Sequence, residues 1–279
     1  MTRAGDGRAA NRRFAIGLAR AFGGAIIFGL PLLMTMEMWW LGFYMDRGRL
    51  ILLLVVFLPI LVGLSYFTGF EETSALLDDV IDAFVAYAVG FLAAAVILTV
   101  FGVIEPGMPL GEIIGKVSLQ AVPCSIGAAL ARSLLGGEPK SEQDEKRRET
   151  GYAGEVFLMG VGALFLAFNI APTEEMVLVA YRMTEWHALA LALLSLVLMH
   201  GFVFAVQFHG QADLSPHTSW WSAFTRFTAV GYAVALLISV YVLWTFGRTD
   251  GVEPAHILMM TVVLGFPAAI GAAAARLIL

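Results

Sequence analysis

Charge is scarce in this chain. Asp, Glu, Lys and Arg make up 14% of its 279 residues, where a soluble domain carries about 25%. So few charged side chains cannot coat a water-facing surface, and with a net charge of −5 no nucleic-acid partner is expected. Cysteine occurs once, at Cys124, which excludes a disulfide within the chain and a metal site built on paired cysteines. Catalytic patterns are missing too: there is no HExxH, no CxxC, no glycine-rich phosphate loop and no defensible Ser-His-Asp spacing. Neither a nucleophile nor a basic phosphate clamp stands beside the acids, so no enzyme activity is expected. The start of the chain lacks a short apolar core followed by a small-residue cleavage site. Residues 1–15, polar and basic, therefore read as a cytoplasmic tail rather than a signal peptide.

What the chain has in abundance is apolar sequence, with 59% hydrophobic residues and a mean hydropathy of +0.81. About 20 apolar residues span the hydrocarbon core as a helix. Eight segments qualify, roughly 16–44, 50–70, 80–103, 111–135, 152–181, 187–208, 220–246 and 255–278. They are continuous and rich in Leu and Ala rather than alternating, which predicts helices and not barrel strands. The expected fold is therefore an all-α, polytopic membrane protein with about eight transmembrane helices.

The chain also reads as a duplication. Residues 24–45 (GAIIFGLPLLMTMEMWWLGFYM) and 162–183 (GALFLAFNIAPTEEMVLVAYRM) coincide, at an offset of 138, in Gly24/Gly162, Ala25/Ala163, Thr35/Thr173, Glu37/Glu175, Met38/Met176 and Met45/Met183. PCSIGAALAR from Pro123 matches PAAIGAAAAR from Pro267 at an offset of 144. Four spans per copy would make the copies parallel about an axis along the membrane normal. The expected divisions are a first four-helix repeat over 16–135, a charged cytoplasmic linker over 136–151, and a second four-helix repeat over 152–279. Arg3, Arg8, Arg12, Arg13 and Arg20 flank the first span, and Lys140, Lys146, Arg147 and Arg148 crowd the linker. The positive-inside rule then places both termini in the cytoplasm of a bacterial inner (plasma) membrane. Trp39, Trp40, Trp186, Trp220 and Trp221 fall near span ends, as an aromatic belt requires. Gly127 with Ala131, and Gly271 with Ala275, are small pairs one turn apart, suited to packing inside a subunit or to a homo-oligomer.

Glutamates inside apolar sequence are the sharpest functional signal. Glu37 lies 17 residues beyond Arg20, roughly 25 Å along a helix, in the outer third of the hydrocarbon. Glu175 takes the same depth in its copy, with Glu174 beside it. A charge facing lipid costs at least ~2.5–3.5 kcal/mol, so such residues face protein or water. Pro31 lies upstream of Glu37, and Pro172 upstream of Glu175, so the fifth span, and the first by analogy, is expected to be discontinuous. Carbonyls freed at such breaks, together with Glu37, Glu175, Glu174, Thr35, Thr173 and Asn169, would form an ion pathway. A carboxylate pair suits a metal cation such as Ca²⁺, which takes oxygen ligands, or a shared proton. The competing reading is that both glutamates merely cap helix ends at headgroup water.

Further acids, Asp78, Asp79 and Asp82 with Glu71 and Glu72, form either an inner acidic vestibule or a solvated loop and helix start. His200 and Gln207 share a helix face, and Glu112 precedes Lys116 by four residues, the favourable order for an ion pair. Gln120 shares the face of Lys116.

At Gly29–Trp40 (GLPLLMTMEMWW) and at the closing PxxIGAAxAR, the chain resembles a family of bacterial integral membrane proteins catalogued as a domain of unknown function, and the likeness covers nearly its whole length. The resemblance implies a multi-span bacterial membrane protein and supplies neither an activity nor site residues. From the residues, the expected function is a cation channel or secondary transporter, working in a lipid bilayer on a cation or proton. No cofactor is expected beyond a bound cation such as Ca²⁺. The alternative is a non-transporting membrane scaffold that binds a partner.

Overall fold

Apolar stretches of this length have one economical solution in lipid, which is to satisfy every backbone N–H and C=O within a helix. The computed structural model describes residues 3–68, 76–135, 141–205, 221 and 224–278. Among them it holds ten α-helices and one π-helical turn, with no strand. Eight helical segments are long and apolar enough to cross a membrane. The protein is an all-α polytopic membrane protein, arranged as two compact units, Met1–Pro139 and Lys140–Leu279.

The first unit runs α1 (Arg3–Leu33), α2 (Met36–Tyr44), α3 (Arg47–Thr68), α4 (Leu76–Val100) and α5 (Leu110–Leu135). Helix α5 is its centre: it packs against all four others, and every residue from 115 to 131 is buried. Small residues make this possible. A Cβ on Gly24 of α1 would overlap Gly127 O, and one on Gly90 of α4 would overlap the Ser125 hydroxyl. Glycine at these positions lets backbones meet where any side chain would hold them apart.

The second unit runs α6 (Ser141–Ile170), α7 (Glu174–Arg182), α8 (Glu185–Ala205), a π-helical turn (Phe224–Ala229), α9 (Val230–Thr245) and α10 (Pro254–Ile278). Helix α10 packs against α6, α7, α8 and α9. Gly162 of α6 and Gly271 of α10 meet backbone to backbone, as Gly24 and Gly127 do in the first unit. The small pairs foreseen in the sequence thus serve packing within a unit.

As expected, the segments 16–44 and 152–181 are each two helices, interrupted at Met34–Thr35 and at Ala171–Thr173. Pro31 does not end α1; it lies inside it, two residues before the last. Pro172 lies just before the N-cap Thr173 of α7, rather than inside the helix. Of the polar linker, residues 141–150 are helical and separated from the apolar part of α6 by Gly151 (φ 61°, ψ −152°); 136–140 lie outside the described residues. So do Glu71, Glu72, Gln207 and Trp220. Helices α4 and α9 end alike: Gly102 (φ 71°) and Gly247 (φ 72°) take left-handed backbone, and the N–H groups of Val103 and Arg248 return to Leu98 O and Leu243 O at 2.9 Å each. That is the glycine C-cap in which a later N–H closes over the last turn.

Candidate functional site

The two interruptions are the places where apolar helices expose backbone polar groups, so each of those groups needs an accounting. At the first break, Leu30 O accepts from Met34 N (3.0 Å) and Leu32 O from Thr35 N (3.0 Å). The Thr35 hydroxyl donates to Pro31 O (2.6 Å), and the Trp39 indole N–H to Leu33 O (2.8 Å). Gln120 Nε2, reaching across from α5, also donates to Leu32 O at 2.9 Å. The four carbonyls from Leu30 to Leu33 therefore all have donors from the protein. This corrects the expectation that the break offers free carbonyls to a cation. The interruption is a satisfied turn, closed by one threonine, one tryptophan and one glutamine.

The second break is closed differently. Thr173 N (3.1 Å) and its hydroxyl (2.8 Å) both donate to Ile170 O. Arg248, from the turn after α9, donates to Pro172 O and to Glu174 Oε1, the latter at 3.1 Å. Asn169 is not drawn into a site: its amide donates to Phe165 O, one turn back on its own helix, at 2.8 Å.

Thr35 and Thr173 stand as N-caps of α2 and α7 in extended backbone, yet neither hydroxyl caps the helix it precedes; both turn back to the helix before. Glu37 is half-buried in the first turn of α2, and Glu175 is exposed in the first turn of α7. Neither carboxylate has a hydrogen bond or ion pair among the described residues of its unit. A first-turn acid is stabilised by the helix dipole, which suits the exposed Glu175 without further explanation. Glu174 pairs with Arg248 through Oε1 alone.

The inner acids that the structure describes lie largely inside the unit. Asp79 and Asp82 are 3% and 7% exposed, Asp78 is half-buried, and Asp79 Oδ1 is buried without a hydrogen bond. Along α5, Lys116 is 7% exposed and joined to Glu112 at 2.7 Å, as the four-residue spacing foresaw. Gln120 is fully buried, and its Oε1 has no partner. In the second unit His200 Nδ1 and Thr228 Oγ1 share a 2.9 Å hydrogen bond. Among the described residues no group of three or more His, Cys, Asp or Glu side chains gathers as a metal cluster.

Gln120 and Arg248 are the residues that sequence reasoning passed over. Spacing shows Gln120 only as a neighbour of Lys116. The available signal was their isolation: a lone amide in an apolar span, and an arginine one residue after a turn glycine.

The family model described as "Putative integral membrane protein (DUF2391)" matches residues 17–279. The chain belongs to the DUF2391 family of integral membrane proteins. No curated protein and no solved structure matches it. The DUF2391 match extends over both units and includes both helix interruptions.

Proposed function

We propose that this protein moves a small cation or a proton across the membrane, and that its first unit carries the polar groups for that passage. The observation behind this reading is the burial of ionisable and amide side chains inside the first unit's spans: Asp79 and Asp82 on α4, Lys116 and Gln120 on α5. Such groups are costly in a membrane interior and mark ion pathways by default. The second unit has no counterparts for the α5 pair, since 144 residues on stand Met260 and Leu264. Glu37 and Glu175, with the oxygens of Thr35 and Thr173, are the proposed outer groups. Glu37, half-buried and without a partner among the described residues of its unit, is the stronger of the two; Glu175 fits an end-cap equally well.

The same element order in each unit, the matched interruptions and the two glycine crossings support a duplication of one four-span design. The crowding of arginine and lysine at the start of the chain and before Gly151 supports cytoplasmic termini in a bacterial inner membrane.

Flux into proteoliposomes, read with a pH dye and separately with a calcium dye inside the vesicles, tests the proposal. Wild-type protein conducts one of the two; Glu37→Gln lowers that flux at least tenfold, Asp79→Asn lowers it as well, and Glu175→Gln lowers it less. Vesicles that hold folded protein and leak neither ion would refute transport and leave the scaffold reading, which predicts co-purification of a small membrane partner.

A further inference from the structure

We propose that the entry into α9 is a two-register switch. The π-helical turn Phe224–Ala229 is one state and a plain α-helical turn is the other. Tyr152, at the hinge between the charged segment 141–150 and the rest of α6, sets the balance between them.

The fold does not demand the wide turn. Helices α4 and α9 end on the same glycine cap, with Leu243 standing 145 residues after Leu98. Counted back from those caps, residues 224–229 answer to residues 79–84 of α4, which are ordinary α-helix. A π turn holds one residue more than the same length of α-helix needs. Such turns are rare, and they recur where a helix has a task besides packing.

A wide turn leaves carbonyls outside the four-residue ladder, and other donors have to reach them. The donors here are hydroxyls. Thr225 Oγ1 donates to Trp221 O at 3.0 Å, and the Tyr152 hydroxyl of α6 donates to Arg226 O at 2.7 Å. Those two carbonyls are five residues apart, the period of a π turn. The Arg226 guanidinium lies over the Tyr152 ring, 5.1 Å from its centre, and Phe227 meets the same ring edge-on at 6.0 Å. From the side of α8, His200 Nδ1 and Thr228 Oγ1 share a 2.9 Å hydrogen bond, and the Phe224 ring crosses the His200 ring at 5.3 Å. The turn is thus held by α6 and α8 at once.

These contacts join a hinge to a loosely held helix. Tyr152 directly follows Gly151, whose φ of 61° breaks the helix between segment 141–150 and the apolar part of α6. A change of angle there moves the Tyr152 hydroxyl first. Helix α8 is the least buried of the eight spans, and it packs on α10 and on the π turn but hardly on α9. Its seat at this end is the turn itself. Drawing the turn in by one residue rotates the chain before it about 100° round the axis and shifts it about 1.5 Å along, with α9 unmoved from Val230 on. That takes Arg226 O from Tyr152 and Phe224 from His200, and α8 loses the surface it rests on. Just beyond the turn, Gly231 is packed by the ends of Met199 and Met159, unbranched side chains that fill either arrangement. The switch stands whether or not the protein moves ions.

Hydrogen exchange read by mass spectrometry, on the full chain in lipid nanodiscs, follows the amides of 224–235 against the rest of the second unit. Tyr152→Phe and Thr228→Val each remove one hydrogen bond from the π state and should speed exchange there about fivefold, the worth of that bond, leaving α10 as it was. Deleting Thr225 takes out the extra residue. That variant should fold, unfold no lower than the wild type on heating, and exchange more slowly over 224–235. Deleting Ile238, inside the regular part of α9, should prevent folding. Gly151→Ala should shift exchange over 224–235 in the wild type and leave it alone once Thr225 is deleted. A Thr225 deletion as damaging as the Ile238 deletion overturns the switch, because the turn then has no α state. So do Tyr152→Phe and Thr228→Val variants that leave exchange unchanged, or that raise it evenly through the second unit. A Gly151→Ala effect that survives the Thr225 deletion overturns the part assigned to Tyr152, since the hinge then acts by another route.

Discussion

Replacing Arg248 with methionine separates two interactions that one side chain makes at once. The Arg248 side chain is 15% exposed and joins Oε1 of Glu174, whose side chain is 71% exposed, at 3.1 Å. An ion pair with one partner so open to solvent contributes only about 0–1 kcal/mol. Its second bond goes to the carbonyl of Pro172, a buried residue at the interruption between α6 and α7. A buried carbonyl stripped of its donor costs about 1–3 kcal/mol. Methionine keeps most of the packed stem, and it also removes Arg248 Nε, which is buried without a partner; that offset pulls the net cost toward the lower end. The expected destabilisation for Arg248→Met is therefore about 1–2 kcal/mol, nearly all of it from the carbonyl. Glu174→Gln should cost less than about 1 kcal/mol. Thermal unfolding of the purified protein in mild detergent reads both, at about 2–4 °C per kcal/mol for a unit of this size. Adding Glu174→Gln to Arg248→Met should change little. Equal costs for the two single variants would refute the reasoning, because the ion pair and not the carbonyl would then hold the break together.

Other substitutions test the rest of the framework by the same unfolding measurement. Lys116→Met leaves Glu112 without its cation in a largely buried place and should cost about 3 kcal/mol, while the double change Lys116→Met with Glu112→Leu should recover most of it. Trp39→Phe removes the donor to Leu33 O and should cost about 1 kcal/mol with no loss of helix content by circular dichroism. Gly24→Val drives a side chain into Gly127 O and should cost about 1–3 kcal/mol or more; Gly102→Ala meets open space and should cost about 1 kcal/mol, from its positive φ alone.

Span number and helix type were legible because they follow from length and composition, and nothing in a tertiary contact can override a hydrocarbon core that admits no unsatisfied backbone. The interruptions were half legible. Pro172 marked the second one closely, since proline before a threonine and two acids is a helix start in any context. Pro31 misplaced the first by a few residues, because a proline inside a membrane helix is tolerated when its surroundings cover the lost hydrogen bond. The real determinants there are Thr35, Trp39 and Gln120, and the last lies 88 residues from the carbonyl it serves. Spacing within one helix reveals a pair such as Glu112 and Lys116. It cannot reveal that Gln120 reaches Leu32, or that Arg248 reaches Pro172 over 76 residues.

This difference bears on how the repeated glutamate should be weighed. If the two units are copies, as proposed, a residue needed for packing should persist in both. Gly24 with Gly127 and Gly162 with Gly271 do so, and each pair makes the same backbone contact. A residue needed for chemistry has to persist in only one copy. Gln120 is present in the first unit, where the second has Leu264, and Lys116 is answered by Met260. A glutamate in the first turn of both short helices satisfies either account, since dipole stabilisation alone would preserve it twice. Repetition is therefore weaker support for an ion site than it first looks, and the unrepeated Gln120 is stronger. The consequence is an asymmetry between equivalent positions: Glu37→Gln should alter ion movement and Glu175→Gln should scarcely do so, although the two residues coincide in the duplicated sequence. Equal losses from both would show that the carboxylates work as a pair, independent of Gln120.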